Sequence, residues 1–238
     1  MDGQAHHRAG ARWTALDVVR WTAADLARRG VPSSRLEAEL LVARALGSSR
    51  VGLYVRHDAP LTETERAAVR EMVRRRRTGE PTAYILGERE FWSIPVRVDG
   101  RVLIPRPETE TLVEEALTAM PDGGRSWRVA DVGAGSGAVA MAVAVERPAA
   151  AVLAIDVSPD AIDVARENVA ARGLGGRIEL LCADGPDALA ARPAEFDSVL
   201  ANLPYIASAE IAGLPVEIRD HEPRSAIDGG PDGLREIR

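Results

Sequence analysis

RVADVGAGSGAVAMAVAVE, residues Arg128 to Glu146, decides how the rest of the chain is to be read. Arg128 to Val132 is a short strand-like run, Gly133, Gly135 and Gly137 stand at alternate positions, and an Ala/Val-rich stretch of helical character follows. Glycine is required where a chain turns with positive φ, or where a ligand comes against bare backbone. A strand, a glycine turn and a helix N-terminus together present N–H groups and a favourable dipole end to a ligand.

Downstream the alternation continues. Val152 to Asp156 reads as a strand, and Ser158-Pro159-Asp160 as a cap with a proline start to a helix reaching about Arg172, which Gly173 ends. Arg177 to Ala183 is the next strand, a short helical piece lies near Asp187 to Ala191, and Phe196 to Ala201 is a further strand. This β-α-β-α order predicts a parallel sheet with helices on both faces, with ligands at the carboxyl ends of its strands. Asp131, Asp156, Asp184 and Asn202 all fall at or just after such an end.

Upstream the pattern differs. Residues 1–12 read as a disordered tail. Trp13 to Arg29 carries Leu16, Val19 and Leu26 at helical spacing and ends at Gly30. Pro32-Ser33-Ser34 opens a second helix with Leu36, Leu40, Leu41 and Leu46 on its apolar side. A third begins at Thr62, where Glu65 three residues on completes a capping-box pattern, and runs to about Thr78. Its basic run Arg74 to Arg77 points all round the helix, which suits a solvated helix end more than a docking patch for an acidic protein or RNA. Residues 13–79 are therefore expected to form a helical domain, and 80–106 a β-hairpin linker. In that linker Thr82 to Leu86, Glu90 to Trp92, Pro95 to Val98 and Arg101 to Ile104 read as extended runs, with the turn at Asp99-Gly100. A helix starting at Glu108 to Glu110 then opens the α/β domain, 107–238.

Composition limits what such a chain does. Its 238 residues are 46% hydrophobic and 28% charged, as in soluble globular proteins. A net charge of −6 advertises no nucleic-acid partner. The one cysteine, Cys182, forms no internal disulfide, fits a reducing compartment, and reads as a buried structural thiol. His6, His7, His57 and His221 make no ligand-spaced cluster, so no metal is expected. No membrane-length apolar run and no signal-peptide core are present, and the expected location is the cytoplasm.

The glycine loop supports two ligand readings. Gly133, Gly135 and Ala138 fit the G-x-G-x-x-G/A dinucleotide fingerprint, with Asp156 lying 19 residues beyond Gly137. Asp131 followed by the three glycines fits the methyltransferase loop D-x-G-x-G-x-G equally well. Asn202-Leu203-Pro204-Tyr205 decides between them. It resembles the (Asp/Asn)-Pro-Pro-Tyr signature of methyltransferases that modify planar amino groups. An amide nitrogen is a poor nucleophile because its lone pair is delocalised. Carbonyls from Asn202 and from the backbone of Leu203, accepting one N–H each, would orient that lone pair toward an incoming methyl group. Pro204 stiffens the loop, and Tyr205 offers a flat face to a planar substrate group.

From about Leu36 onward the chain resembles the release-factor glutamine methyltransferases, through RRRRTGEPTAYILGEREFWSIPVRV, LIPRPETETLVEEAL, DVGAGSGAVA, AIDVSPDAIDVARENV and NLPYI. The resemblance implies a helical domain that recognises the release factor, a hairpin linker, and a Rossmann-like class I methyltransferase sheet using S-adenosylmethionine. It implies N5-methylation of the glutamine in the factor's Gly-Gly-Gln loop. By motif, Gly133, Ala134, Gly135, Ser136 and Gly137 would cradle the methionine end, Asp156 would bind the ribose, and Asp184 and Gly185 would border the adenine. Asn202 to Tyr205 would hold the glutamine amide, with Asn202 also reaching the cofactor.

The chain departs from the family at three places. Leu203 replaces a proline, which makes N-L-P-Y, a form also found in adenine N6-methyltransferases. Gly185 stands where an aromatic often follows the acid. The family's sheet has about three more strands after this point, and Arg238 falls within what reads as a helix begun near Gly230, so the sheet is expected to be incomplete. The expected functions are, in order, a release-factor glutamine methyltransferase, an adenine amino-methyltransferase, and a release-factor-binding remnant without turnover. The partners expected are release factors, without membrane or direct nucleic-acid binding.

Overall fold

The structure, a computed structural model, describes residues 12–192 and 194–238. The expected tail therefore lies outside the described residues apart from Arg12. The chain divides into two compact units, Met1–Leu86 and Gly87–Arg238.

The first unit is helical: α1 (Ala15–Arg28), α2 (Ser34–Ala45), α3 (Arg50–Val55), α4 (Glu63–Arg77) and α5 (Thr82–Leu86). Capping boxes start α1 at Thr14 with Asp17 and α4 at Thr62 with Glu65, each contributing about 1 kcal/mol. Val18, Val19, Ala38, Val42, Leu53, Val69 and Val73 build one core. Leu26, Leu41 and Ile85 build a second. Residues 82–86 are a helix and not the expected extended run, and the helix buries the consecutive residues Tyr84 and Ile85, which a strand would point to opposite faces. Leu36 is 42% exposed, and the buried side of α2 runs instead through Ala38, Leu41 and Val42.

The arginine run at the end of α4 is not an open basic patch. Each residue finds its own carboxylate: Arg74 pairs with Glu71, Arg75 with Glu80, Arg76 with Glu37 and Arg77 with Asp25. The Arg76 side chain is 5% exposed, and Arg77 also lies over the Trp21 ring, 5.3 Å from its centroid. Nearby, the Tyr54 hydroxyl and then Arg35 hold the Glu39 carboxyl down to about 2.

The second unit opens with an antiparallel hairpin, β1 (Glu88–Phe91) and β2 (Ile94–Arg97). Phe91 pairs with Ile94, so the turn is Trp92-Ser93 and not Asp99-Gly100. Both turn residues have positive φ, 53° and 56°, as a two-residue turn matched to strand twist requires. Neither is glycine, and Glu110 and Glu146 hold the conformation by accepting the Trp92 N–H and Nε1–H at 2.9 and 2.7 Å. Asp99-Gly100 makes a separate turn closed by the Val102 N–H, and 101–104 forms no strand.

After α6 (Glu110–Ala119) come β3 (Arg128–Val132), α7 (Ala138–Glu146), β4 (Ala151–Asp156), α8 (Pro159–Ala171), β5 (Ile178–Cys182), α9 (Gly185–Ala190), β6 (Ser198–Ala201) and α10 (Val216–Arg219). The expected parallel α/β sheet is present in the order β5-β4-β3-β6. Val129 to Val132 and Val152 to Ile155 are buried, as befits central strands covered on both faces. Residues 138–144 of α7 are buried throughout, which accounts for a helix without a polar stripe. Cys182 ends the edge strand β5 and is exposed, so it is not a buried thiol. The helix expected near Gly230 is absent. Residues 231–237 form turns closed by bonds such as Arg235 N–H to Gly229 O at 2.9 Å.

Candidate active site

The strand order reverses between β4 and β6 on either side of β3, the position at which open α/β sheets bind ligands. There the second unit has a cavity of about 330 Å³. Its lining comes from all four strand ends: Asp131 to Ser136, Ile155 to Ser158, Ala183 to Pro186, and Asn202 to Pro204. Leu103, Pro105 and Thr109 supply another wall, and Pro223, Ser225 and Ala226 a further one.

The glycine loop is held mainly by β4. Gly133 and Ala134 donate their N–H groups to Ile155 O at 2.9 and 3.0 Å, and Gly135 donates to Asp156 Oδ2 at 2.8 Å. The loop therefore offers bare Cα surface more than the free N–H groups its sequence suggests. Gly137, at φ 78°, caps α7 and does not line the cavity. A Cβ there would stand 3.3 Å from Ala165 Cβ, so this glycine serves the approach of α8. Having no side chain, Gly137 cannot cap the helix through an oxygen, and Asp131 does so from the end of β3, accepting the Ala140 N–H at 3.0 Å. Burial pushes the Asp131 carboxyl up to about 7, with the Ala140 N–H opposing and Asp156 adding to the shift.

Asp156 also accepts the Ser158 N–H at 2.9 Å through Oδ1. Each of its oxygens retains a lone pair for a ligand hydroxyl. Asp184 precedes α9 and makes no cap bond there. At Gly185 a Cβ would run into Val132 Cγ1, so the glycine standing in an aromatic's place is enforced by packing.

Asn202 and Leu203 follow β6, with Asn202 donating from Nδ2 to Thr109 Oγ1 at 3.1 Å. Leu203 lies over the loop, its Cδ2 3.1 Å from where a Cβ on Gly133 would sit. Tyr205 is 67% exposed and is not among the lining residues. Thr109 is a site residue that sequence reasoning missed, as are Pro223, Ser225 and Ala226. The string LIPRPETE marked its neighbourhood, and nothing in the string marked the threonine.

Two wall segments are joined by an ion pair, Arg106 Nη2 to Glu222 Oε2 at 2.6 Å, with the Glu222 side chain 1% exposed. Burial raises the Glu222 carboxyl above its ordinary value, against the pull of Arg106.

Comparison with known proteins bears on this geometry. Residues 17–87 match the PrmC N-terminal domain family, and residues 129–221 match a methyltransferase domain family. The chain is 44% identical over 231 residues to the release factor glutamine methyltransferase of Rhodopirellula baltica, covering 94% of this chain and 77% of that protein. This chain belongs to the release factor glutamine methyltransferase family. The Geobacter sulfurreducens member is 44% identical over 222 residues, covering 93% of this chain and 76% of that one, and the Chlorobaculum tepidum member 42% over 224 residues, covering 90% and 75%. The methyltransferase match spans β3 to α10, including every strand end that lines the cavity.

S-adenosylmethionine, the methyl donor of this family, fits the residues present. The cavity lies within the roughly 300–1,000 Å³ range of small-molecule sites. Bare glycine surface, an acceptor carboxylate at Asp156 and the apolar side chains of Val132 and Ile155 line it together. No described helix is long and apolar enough to cross a membrane.

Proposed function

We propose that this methyltransferase modifies the side-chain amide nitrogen of a glutamine in a peptide chain release factor, the N5 position in a Gly-Gly-Gln loop, with S-adenosylmethionine as donor. The observation that carries the reading is the meeting of the Asn202-Leu203-Pro204 turn and the Gly133 to Ser136 loop in one cavity. When bound, S-adenosylmethionine supplies a methyl group on a positively charged sulfur.

The chain's own residues do the rest. Asn202 Oδ1 accepts one amide N–H of the glutamine and the Leu203 carbonyl the other, which fixes the plane of the amide and points the nitrogen lone pair, perpendicular to that plane, toward the donor. The Gly133 to Ser136 loop and Asp156 would hold the donor so that its methyl group could pass to the amide nitrogen, the bonding pair departing with the neutral sulfur. The nitrogen then loses a proton to solvent. No strong base is needed, because the methylated amide is strongly acidic at that point. Leu203, Pro204 and Pro105 give the walls apolar surface, which favours a step that spreads the donor's charge over sulfur, carbon and nitrogen.

The test is transfer of labelled methyl from S-adenosylmethionine to a purified release factor, with rRNA and a factor carrying Gln→Ala in its Gly-Gly-Gln loop as parallel acceptors. Label confined to the intact factor is expected. Label on rRNA alone would move the activity to adenine, and cofactor binding without transfer to either would leave a binding protein.

A further inference from the structure

We infer that Thr109 is a positioning residue: its hydroxyl holds the plane of the Asn202 amide so that Oδ1 is presented to the acceptor N–H. The inference rests on the role proposed above for Asn202. Thr109 stands at the start of α6, 93 residues from Asn202 in sequence, and receives the Asn202 Nδ2–H at 3.1 Å. Both residues line the cavity.

The backbone of Asn202 is placed by β6, but its amide is not. The terminal torsion of asparagine is broad, and its oxygen and nitrogen ends are nearly equal in size. The bond to Thr109 supplies the missing restraint. With Nδ2 donating to the hydroxyl, Oδ1 is the end left to receive an acceptor N–H. In the flipped arrangement the hydroxyl, which donates as well as accepts, would bond Oδ1, but an N–H of Asn202 would then face the N–H groups of the acceptor, donor against donor. The hydroxyl therefore holds the plane and the acceptor selects the end. The anchor is itself stiff. Thr109 is β-branched, restricting χ1, and it closes a short 3-10 turn that Pro107 begins.

Thr109→Val keeps the shape and removes the hydroxyl, and Thr109→Ser keeps the hydroxyl and removes a methyl group. Thr109→Val is expected to lower kcat for release-factor methylation by about tenfold or more, the scale of one lost hydrogen bond in a transition state. KM for the factor, S-adenosylmethionine affinity and Tm should stay near the parent values, and Thr109→Ser should recover most of the rate. A second readout does not depend on turnover. The chain has two asparagines, Asn168 and Asn202, so 15N-asparagine labelling gives two side-chain amide signals. Asn168, buried and bonded on three sides, is the rigid internal standard. The Asn202 amide should be ordered in the parent, mobile in Thr109→Val and ordered again in Thr109→Ser. Unchanged kcat and unchanged amide order in Thr109→Val would overturn the inference, as would a loss that serine fails to rescue. Absence of transfer by the parent chain would count against the proposed function, and amide order alone would then decide whether Thr109 holds Asn202.

Discussion

Asp156 Oδ2 accepts the Gly135 N–H at 2.8 Å, so the acid at the end of β4 braces the middle glycine of the loop that follows β3. The same carboxylate is the proposed ribose acceptor. Asp156→Ala removes both functions and should weaken S-adenosylmethionine binding by about tenfold to a hundredfold, equivalent to about 1.5–3 kcal/mol for hydrogen bonds to a charged group. Calorimetry measures the affinity, and hydrogen exchange at Gly135 should quicken in the same variant. Loss of affinity with unchanged exchange would leave only the ligand contact.

Asp131 gives the site a pH dependence whose sign follows from its raised carboxyl. From the ordinary value of 3.8 to about 7, the folded chain holds a proton there that the unfolded chain has released. Stability from this group is therefore full at low pH and falls as pH rises through that window. The positive charge of S-adenosylmethionine favours the ionised form, so affinity should rise between about pH 6 and pH 8 and binding should release a proton. Calorimetry in buffers of different ionisation enthalpy reads that proton. Asp131→Asn, which keeps an acceptor for the Ala140 N–H, should abolish the release.

Arg106 and Glu222 hold two walls of the cavity together. Arg106→Ala leaves a buried carboxylate without its partner and should cost about 3 kcal/mol, seen as a lowered Tm. Replacing both residues, as Arg106→Met with Glu222→Leu, should recover much of that loss. If the single and double variants melt alike, the pair contributes through packing and not through charge.

Gly185→Ala places a methyl group against Val132 Cγ1. Overpacking of this kind costs about 1–3 kcal/mol, and Val132→Ala should relieve it. Denaturant titration of the two single variants and the double variant measures the coupling.

Much of this was legible in the sequence because it depends on local pattern. Strand, glycine loop and helix recur with the right lengths, Thr62 and Glu65 cap α4 as their spacing predicts, and the four strand-end residues Asp131, Asp156, Asp184 and Asn202 do meet around one cavity. What failed depends on partners distant in sequence. TAYIL has strand-forming residues, and in the helix it forms Ile85 packs with Leu26 and Leu41, partners that lie far away in sequence. Asp99-Gly100 carries the stronger turn signal, but Glu110 and Glu146 secure Trp92 at the hairpin tip. The arginines of α4 look like a surface charge until Glu37 and Asp25 arrive from other helices. Thr109 gains its meaning solely from Asn202.

Asn168 accepts the Arg97 N–H at 2.8 Å and donates from Nδ2 to Arg97 O and Ser136 O at 3.0 and 2.9 Å. One side chain of α8 thereby stitches the end of the hairpin to the glycine loop. The three segments meet at one buried amide. The placement of the loop at the cavity thus depends on a residue of α8 and on the hairpin backbone, both outside the sheet itself.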